Sequence, residues 1–265
     1  MMVKLFIKHV SGIGSEQPGL YGNTSAYYGT VEQQGRLTLH LHLLLWITGS
    51  LSPQEIRNNM MEVNSEFRQK MIEYLEGVHQ GHFIEKTMSE VENDVKYAES
   101  DPVYKNPTET LPDIPPEPCT HPNDPQCPKC DMSNKWWIKF KGITNDLLYR
   151  SNIHSCGDHC LVKGICKARF PRPIINKTVV DDNDGSILLQ KLEERLNTFT
   201  PALTYLLCSN SDVTSLLSGT ALKAVVAYVT DYITKTPLKT YTIFQTIRDI
   251  TIQAIDSRVY TGNLM

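Results

Sequence analysis

Hydrophobic and polar positions alternate most strictly between Leu37 and Ile47. Leu37, Leu39, Leu41 and Leu43 take one parity; Thr38, His40 and His42 take the other. Period two sends successive side chains to opposite faces, so this stretch predicts a strand with leucines toward a core and both histidines on the other face. Tyr27 to Glu32 reads as an upstream strand, with Gln33 to Arg36 turning between the two at Gly35. The period then changes. Ser52-Pro53-Gln54-Glu55 is helix-start chemistry: a serine cap, proline in the first helical position and a glutamate to complete a capping box. Ile56, Met60, Val63, Phe67, Met71 and Tyr74 recur three and four apart, which predicts one amphipathic helix ending near Gly77. Thr87 to Pro118 is acidic and then proline-rich, and reads as a linker or mobile insertion. Further on, the pattern predicts a helix over Ser186 to Asn197 and a buried strand over Ala202 to Cys208. It predicts further helices over Thr220 to Thr234 and Thr242 to Ile255.

Composition narrows the class. At 265 residues and 40% hydrophobic content, the chain is long enough to bury a core as one large domain or two small ones. No apolar run reaches the length of a membrane helix; the longest, Leu37 to Ile47, is interrupted by His40 and His42. Met1 to Val10 lacks a small-residue cleavage site and does not read as a signal peptide, so no membrane partner is expected. A formal net charge of −3 excludes a basic field over the whole molecule. The charge is segregated, however. Glu85 to Glu117 is acidic, whereas Lys163, Lys167, Arg169 and Arg172 follow one another with no acid between them.

Three constellations carry candidate chemistry. His40 and His42, two apart on a strand, project to one face and suit a shared divalent cation; Glu32 or Gln34 on the preceding strand could add a third ligand. Two imidazoles, one carboxylate or amide and open water positions suit Mg²⁺ or Mn²⁺ poised to bind a phosphate. The plainer alternative is two histidines on an exposed strand face. The second constellation is Tyr228 and Tyr232, four apart beside a core stripe of Leu222, Val225, Val226, Val229 and Ile233, with Lys235 near the same flank. They are either core-edge packing or phenol nucleophiles, the latter needing a metal on the phosphate and a nearby cation. The third is cysteine. Six of the seven fall between Cys119 and Cys166. Cys119, His121, Cys127 and Cys130 could offer four ligands to structural Zn²⁺; His154, Cys156, Cys160 and Cys166 could offer four more, with His159 as a substitute. One interleaved site, or free thiols, are the alternatives. Trp136, Trp137 and Phe140 between the two sets suit packing, with base stacking as the second use.

Taken together, these motifs resemble the Rep nuclease of Helitron transposons, in the HUH endonuclease superfamily. Tyr27-Tyr28-Gly29-Thr30-Val31-Glu32, Gln34-Gly35-Arg36 and Thr38 to Trp46 look like the family's strand pair, with His40-Leu41-His42 as its histidine motif. Tyr228-Val229-Thr230-Asp231-Tyr232-Ile233-Thr234-Lys235 looks like its two-tyrosine motif. Cys156 to Cys160 and Cys166 to Pro173 resemble the cysteine-rich insertion of fungal members. The resemblance implies an α+β fold: the antiparallel sheet of an HUH-type nuclease palm flanked by helices, with a cysteine-rich zinc-binding insertion. Residues 1–82 and 174–265 would form the two parts of the nuclease, 83–118 a linker and 119–173 the insertion. It further implies metal-dependent cutting of single-stranded DNA. One tyrosine attacks phosphorus, leaving a 5′-phosphotyrosyl enzyme and a free 3′-hydroxyl, and the second permits strand transfer. Glu32 is the preferred third metal ligand and Gln34 its rival; Arg36, Lys167, Arg169 and Arg172 are candidate DNA contacts. The location implied is the nucleus. Family proteins continue into a helicase, and this sequence has no G-x-x-x-x-G-K-[ST] phosphate loop. The expectation is therefore a fragment, a domain-sized product or a decayed copy, with a non-catalytic DNA-binding remnant as the second reading. An unrelated zinc-binding interaction module is the third.

Overall fold

A computed structural model of the chain describes residues 2–34, 38–120, 124, 126–157, 160–218 and 223–227. These form a mixed α+β protein with small antiparallel sheets. They divide into two compact units: one made of residues up to Ser50 with the described residues from Ser218 on, the other of Leu51–Leu217.

The first unit opens with a short helix, α1 (Met2–Leu5), that widens into a π-helical turn, Phe6–Val10. Its main element is the hairpin of β1 (Thr24–Gln34) and β2 (Thr38–Ile47), antiparallel with Tyr28 opposite Leu44, Thr30 opposite His42 and Glu32 opposite His40. The alternation in the sequence thus becomes the two faces of a ribbon. The loop leading into β1 is drawn tight. Gly12 and Gly19 approach so closely that a Cβ on Gly12 would lie 2.3 Å from the Gly19 nitrogen. Thr24 Oγ1 then donates to the Ser11 carbonyl at 2.8 Å, fixing the entry to the strand. Residues 223–227 are helical, within the span where a helix is expected. The expected helix over Thr242 to Ile255 lies outside the described residues.

The second unit is mainly helical: α2 (Pro53–Met60), α3 (Glu66–Val78), α4 (Met88–Glu99), α5 (Pro128–Ser151) and α6 (Pro201–Leu207). Three elements depart from the sequence expectation. The single helix after Ser52 is two helices. Asn64 adopts φ 65° and Ser65 caps a new start by accepting from the Arg68 amide, so Val63 is left exposed at the break. The acidic stretch expected as a linker contains α4. Thr87 and Glu90 form a reciprocal capping box, and Val91 and Val95, four apart, bury themselves. Ala202 to Cys208 is not a strand but α6, started by Pro201 in the first turn and stopped by Cys208 in the left-handed conformation at φ 50°.

Ser186 to Asn197 forms no helix either. Its backbone is spent on neighbours: Lys191 exchanges hydrogen bonds with Ile175, Leu192 and Glu193 donate to the Gly81 carbonyl, and Arg195 accepts from His154. Tertiary pairing outweighs helix propensity here. What remains regular is the two-residue β6 (Ile187–Leu188), paired with β5 (Val179–Val180); a third small hairpin joins β3 (Leu161–Val162) and β4 (Ile165–Cys166).

The core of this unit is Phe83, Val91, Val95, Leu148, Leu196 and Phe199, walled by Met88, Tyr149 and Ile153. Two buried asparagines on and just after α5 hold the chain around it. Asn145 Oδ1 accepts from the Ile84 amide while its Nδ2 donates to the Ile84 carbonyl; Asn152 brackets Ser211 in the same way. Each clamp satisfies backbone groups that have no ladder partner.

Candidate functional site

Two cysteine-rich clusters stand at opposite ends of α5. At its start, Cys127 is the N-cap, Pro128 the first helical residue and Cys130 a buried position. Cys119 returns to meet them, and the three sulfurs all lie within 4.8 Å of one another. Cys119 Sγ and Cys127 Sγ are 3.7 Å apart, far beyond a disulfide. That separation fits the edge of a tetrahedron with Zn–S bonds of about 2.3 Å, which is about 3.8 Å. The Asp124 amide points at Cys130 Sγ at 3.5 Å. This hydrogen bond favours the thiolate, but burial and the neighbouring Cys119 and Cys127 thiols outweigh it and raise the Cys130 pKa. Crowded thiols of this kind are relieved when a cation replaces their protons.

The second cluster follows the end of α5 and closes around the β3–β4 hairpin: His154, Cys156, Cys160 and Cys166, again all within 4.8 Å. His154 Nε2 lies 3.3 Å from Cys166 Sγ, near the roughly 3.5 Å edge expected between nitrogen and sulfur on one tetrahedral zinc. Backbone amides of Phe170 and Ala168 stabilise the Cys166 thiolate against burial and lower its pKa; burial and the other two thiols raise that of Cys156. The donor set is one imidazole and three sulfurs, which suits a closed structural zinc site. Sequence reasoning missed the support behind it. Phe170 stacks on the His154 ring at 4.3 Å and 13°, and the Arg172 guanidinium lies over the Phe170 ring, 4.4 Å from its centroid. Only Phe170, four positions after Cys166, hinted at this stack, which holds the imidazole's orientation. Arg172 is accordingly half-buried, whereas Lys163, Lys167 and Arg169 are exposed around the hairpin. His121 and His159 lie outside the described residues.

In the first unit, the ladder brings three of the sequence candidates together. His40 and His42 share a face, their ring centroids 4.6 Å apart and at 66°. Glu32, opposite His40, reaches diagonally to His42, with Oε2 3.5 Å from Nε2. Burial first, then the neighbouring His42, holds the His40 pKa below its ordinary 6.5 against the opposing pull of Glu32. A neutral imidazole keeps a lone pair for a cation. Two imidazoles with an adjacent carboxylate are a mixed nitrogen and oxygen donor set. Gln34 is in β1 opposite Thr38. Arg36, Tyr228, Tyr232 and Lys235 lie outside the described residues.

No helix among the described residues is long and apolar enough to cross a membrane. No curated protein and no solved structure matches the chain. A family model does: the Helitron helicase-like domain at N-terminus matches residues 1–45, a span that takes in Glu32, His40 and His42. That match supports a Helitron helicase-like N-terminal domain over the first 45 residues of the chain.

Proposed function

We propose that the chain is the nuclease part of a rolling-circle Helitron transposase, an endonuclease and strand transferase acting on single-stranded DNA in the nucleus. The observation that carries this reading is the grouping of His40, His42 and Glu32 on one face of a hairpin inside the family-matched segment. A bound Mg²⁺ or Mn²⁺ would orient the scissile phosphate and draw off developing charge. The two histidines and Glu32 would hold it, with Gln34 as the alternative to Glu32. In the reaction proposed, a phenol oxygen of Tyr228 or Tyr232 bonds to phosphorus as its proton leaves. The bond to the 3′-oxygen breaks, giving a 5′-phosphotyrosine and a free 3′-hydroxyl. Lys235 would stabilise the phenolate. Residues 223–227, which precede Tyr228 in the sequence, are helical and belong to the same compact unit as the hairpin, which favours this reading. Zinc in the two cysteine clusters would act structurally, and Arg36, Lys167, Arg169 and Arg172 would contact the strand.

Incubating the chain with Mn²⁺ and a panel of single-stranded oligonucleotides tests the proposal. The expected product is a covalent protein–DNA adduct that survives denaturation. It should be lost in a Tyr228→Phe/Tyr232→Phe variant and in a His40→Ala/His42→Ala variant. An adduct that persists without both tyrosines would sink the mechanism. Binding without any adduct would replace it with the reading of a non-catalytic DNA-binding remnant.

A further inference from the structure

Between the short 3₁₀ turn Pro107–Glu109 and Cys119, residues 111–118 cross the second unit as a strap without regular structure. The strap lies over an aromatic face. Trp136 stacks on Phe140 at 5.2 Å, and Tyr205 from α6 meets Phe140 at 4.8 Å and Trp136 at 5.7 Å. Asp113 is its main point of attachment. The Tyr205 hydroxyl accepts from the Asp113 amide at 3.1 Å and donates to its carbonyl at 3.2 Å; Trp136 Nε1 donates to the same carbonyl. Lys139 pairs with the Asp113 carboxylate, and Lys129 with Glu117.

These contacts are poor anchors by themselves. Leu111 and Ile114 are 92% and 88% exposed, so the strap's own aliphatic residues add no core. Exposed ion pairs return little, and ordering a non-helical segment costs conformational entropy at every residue. What distinguishes the strap is where it ends. Cys119 closes it, and the other two thiols of that cluster belong to Cys127 and Cys130, the N-cap residue and a first-turn residue of the helix whose next turns carry Trp136, Lys139 and Phe140.

We propose that the first cysteine cluster is a clasp: a thiolate-bound Zn²⁺ on Cys119, Cys127 and Cys130 holds the strap down on α5 and α6, and loss of that ion releases it and bares Trp136, Phe140 and Tyr205. The cluster then does more than stabilise a loop. It makes exposure of an aromatic face conditional on metal occupancy. This inference rests on metal binding at the first cluster and is independent of nuclease activity.

Hydrogen exchange on the full chain, loaded with Zn²⁺ or stripped by a chelator, tests it, with intrinsic tryptophan fluorescence as the second readout. Exchange at the Asp113 amide should rise about tenfold on stripping, the scale of one lost hydrogen bond, with increased quenching of tryptophan by acrylamide. Cys119→Ser should reproduce both changes in the presence of Zn²⁺, and Cys166→Ser, in the other cluster, should not. Tyr205→Phe should free the Asp113 amide while leaving zinc stoichiometry unchanged, which separates the pin from the clasp. Asp113 protection that is indifferent to zinc and to Cys119→Ser overturns the proposal. So does a first cluster that takes up no zinc, or a Cys166→Ser variant that releases the strap equally.

Discussion

His79 shows at the scale of one residue what burial does to a titrating group. It is 5% exposed; its Nδ1–H donates to the Leu75 carbonyl and its Nε2 accepts from the Ser215 hydroxyl. Burial lowers its pKa from 6.5 against the smaller opposing effect of the Leu75 hydrogen bond, and burial acts on His82 in the same direction. Below about pH 6.5 the unfolded chain therefore takes up protons that the folded chain refuses. Stability from these sites is complete above that pH and declines as pH falls through it toward the folded value. The denaturant midpoint should drop between about pH 7 and pH 5.5, and His79→Gln should flatten that slope. A slope unchanged in the variant would assign the effect elsewhere. The sequence held no sign of this. A lone histidine after a glycine-ended pattern carries no period, and its partner Ser215 is 136 positions away. His40 and His42 were legible because strand alternation alone sets which face they share, whereas the stacking of His154 on Phe170 depends on a chain path that spacing does not encode.

Elements were legible where local chemistry decides them and obscure where distant partners do. The Ser52 capping box and the start of α2 follow from capping rules and stand as expected; the hairpin follows from alternation, but β1 runs on through Gln33 and Gln34, which the sequence placed in the turn, and none of the described β2 leucines is fully buried. Apolar spacing after Ser52 runs on through Val63 as if in one helix, whereas Asn64 and Ser65 supply a left-handed turn and a fresh cap that divide it in two. On α3 the fully buried residue is Leu75, not the adjacent Tyr74. In α4, acidic composition hid two buried valines and a capping box that the sequence Thr87-Met88-Ser89-Glu90 spells out. Thr87→Ala should cost about 1 kcal/mol, through loss of the side-chain oxygen that accepts from the Glu90 amide. Urea denaturation followed by circular dichroism reads this directly, and an unchanged midpoint would mean that the cap is not needed to hold Val91 and Val95 in the core.

Across the whole molecule, the cysteines were the most informative sequence signal, because thiol-rich sets of four ligands demand a spatial cluster whatever the fold between them. The structure assembles His154, Cys156, Cys160 and Cys166 in one group and Cys119, Cys127 and Cys130 in another. Native mass spectrometry should find two zinc ions per chain. Cys130→Ser and Cys160→Ser should each remove one, and chelation should lower stability by at least a few kcal/mol. A single ion shared by all these residues would contradict the two-cluster geometry. The rod between the clusters has a consequence of its own. With 24 residues, α5 is about 36 Å long, and it fixes both the spacing and the angular phase of the clusters at its ends. Inserting or deleting one residue would turn one end against the other by about 100° and shift it by about 1.5 Å. Length changes within α5 should therefore be tolerated only near whole numbers of turns, such as seven residues, so the helix acts as a gauge on which insertions and deletions are read as rotations.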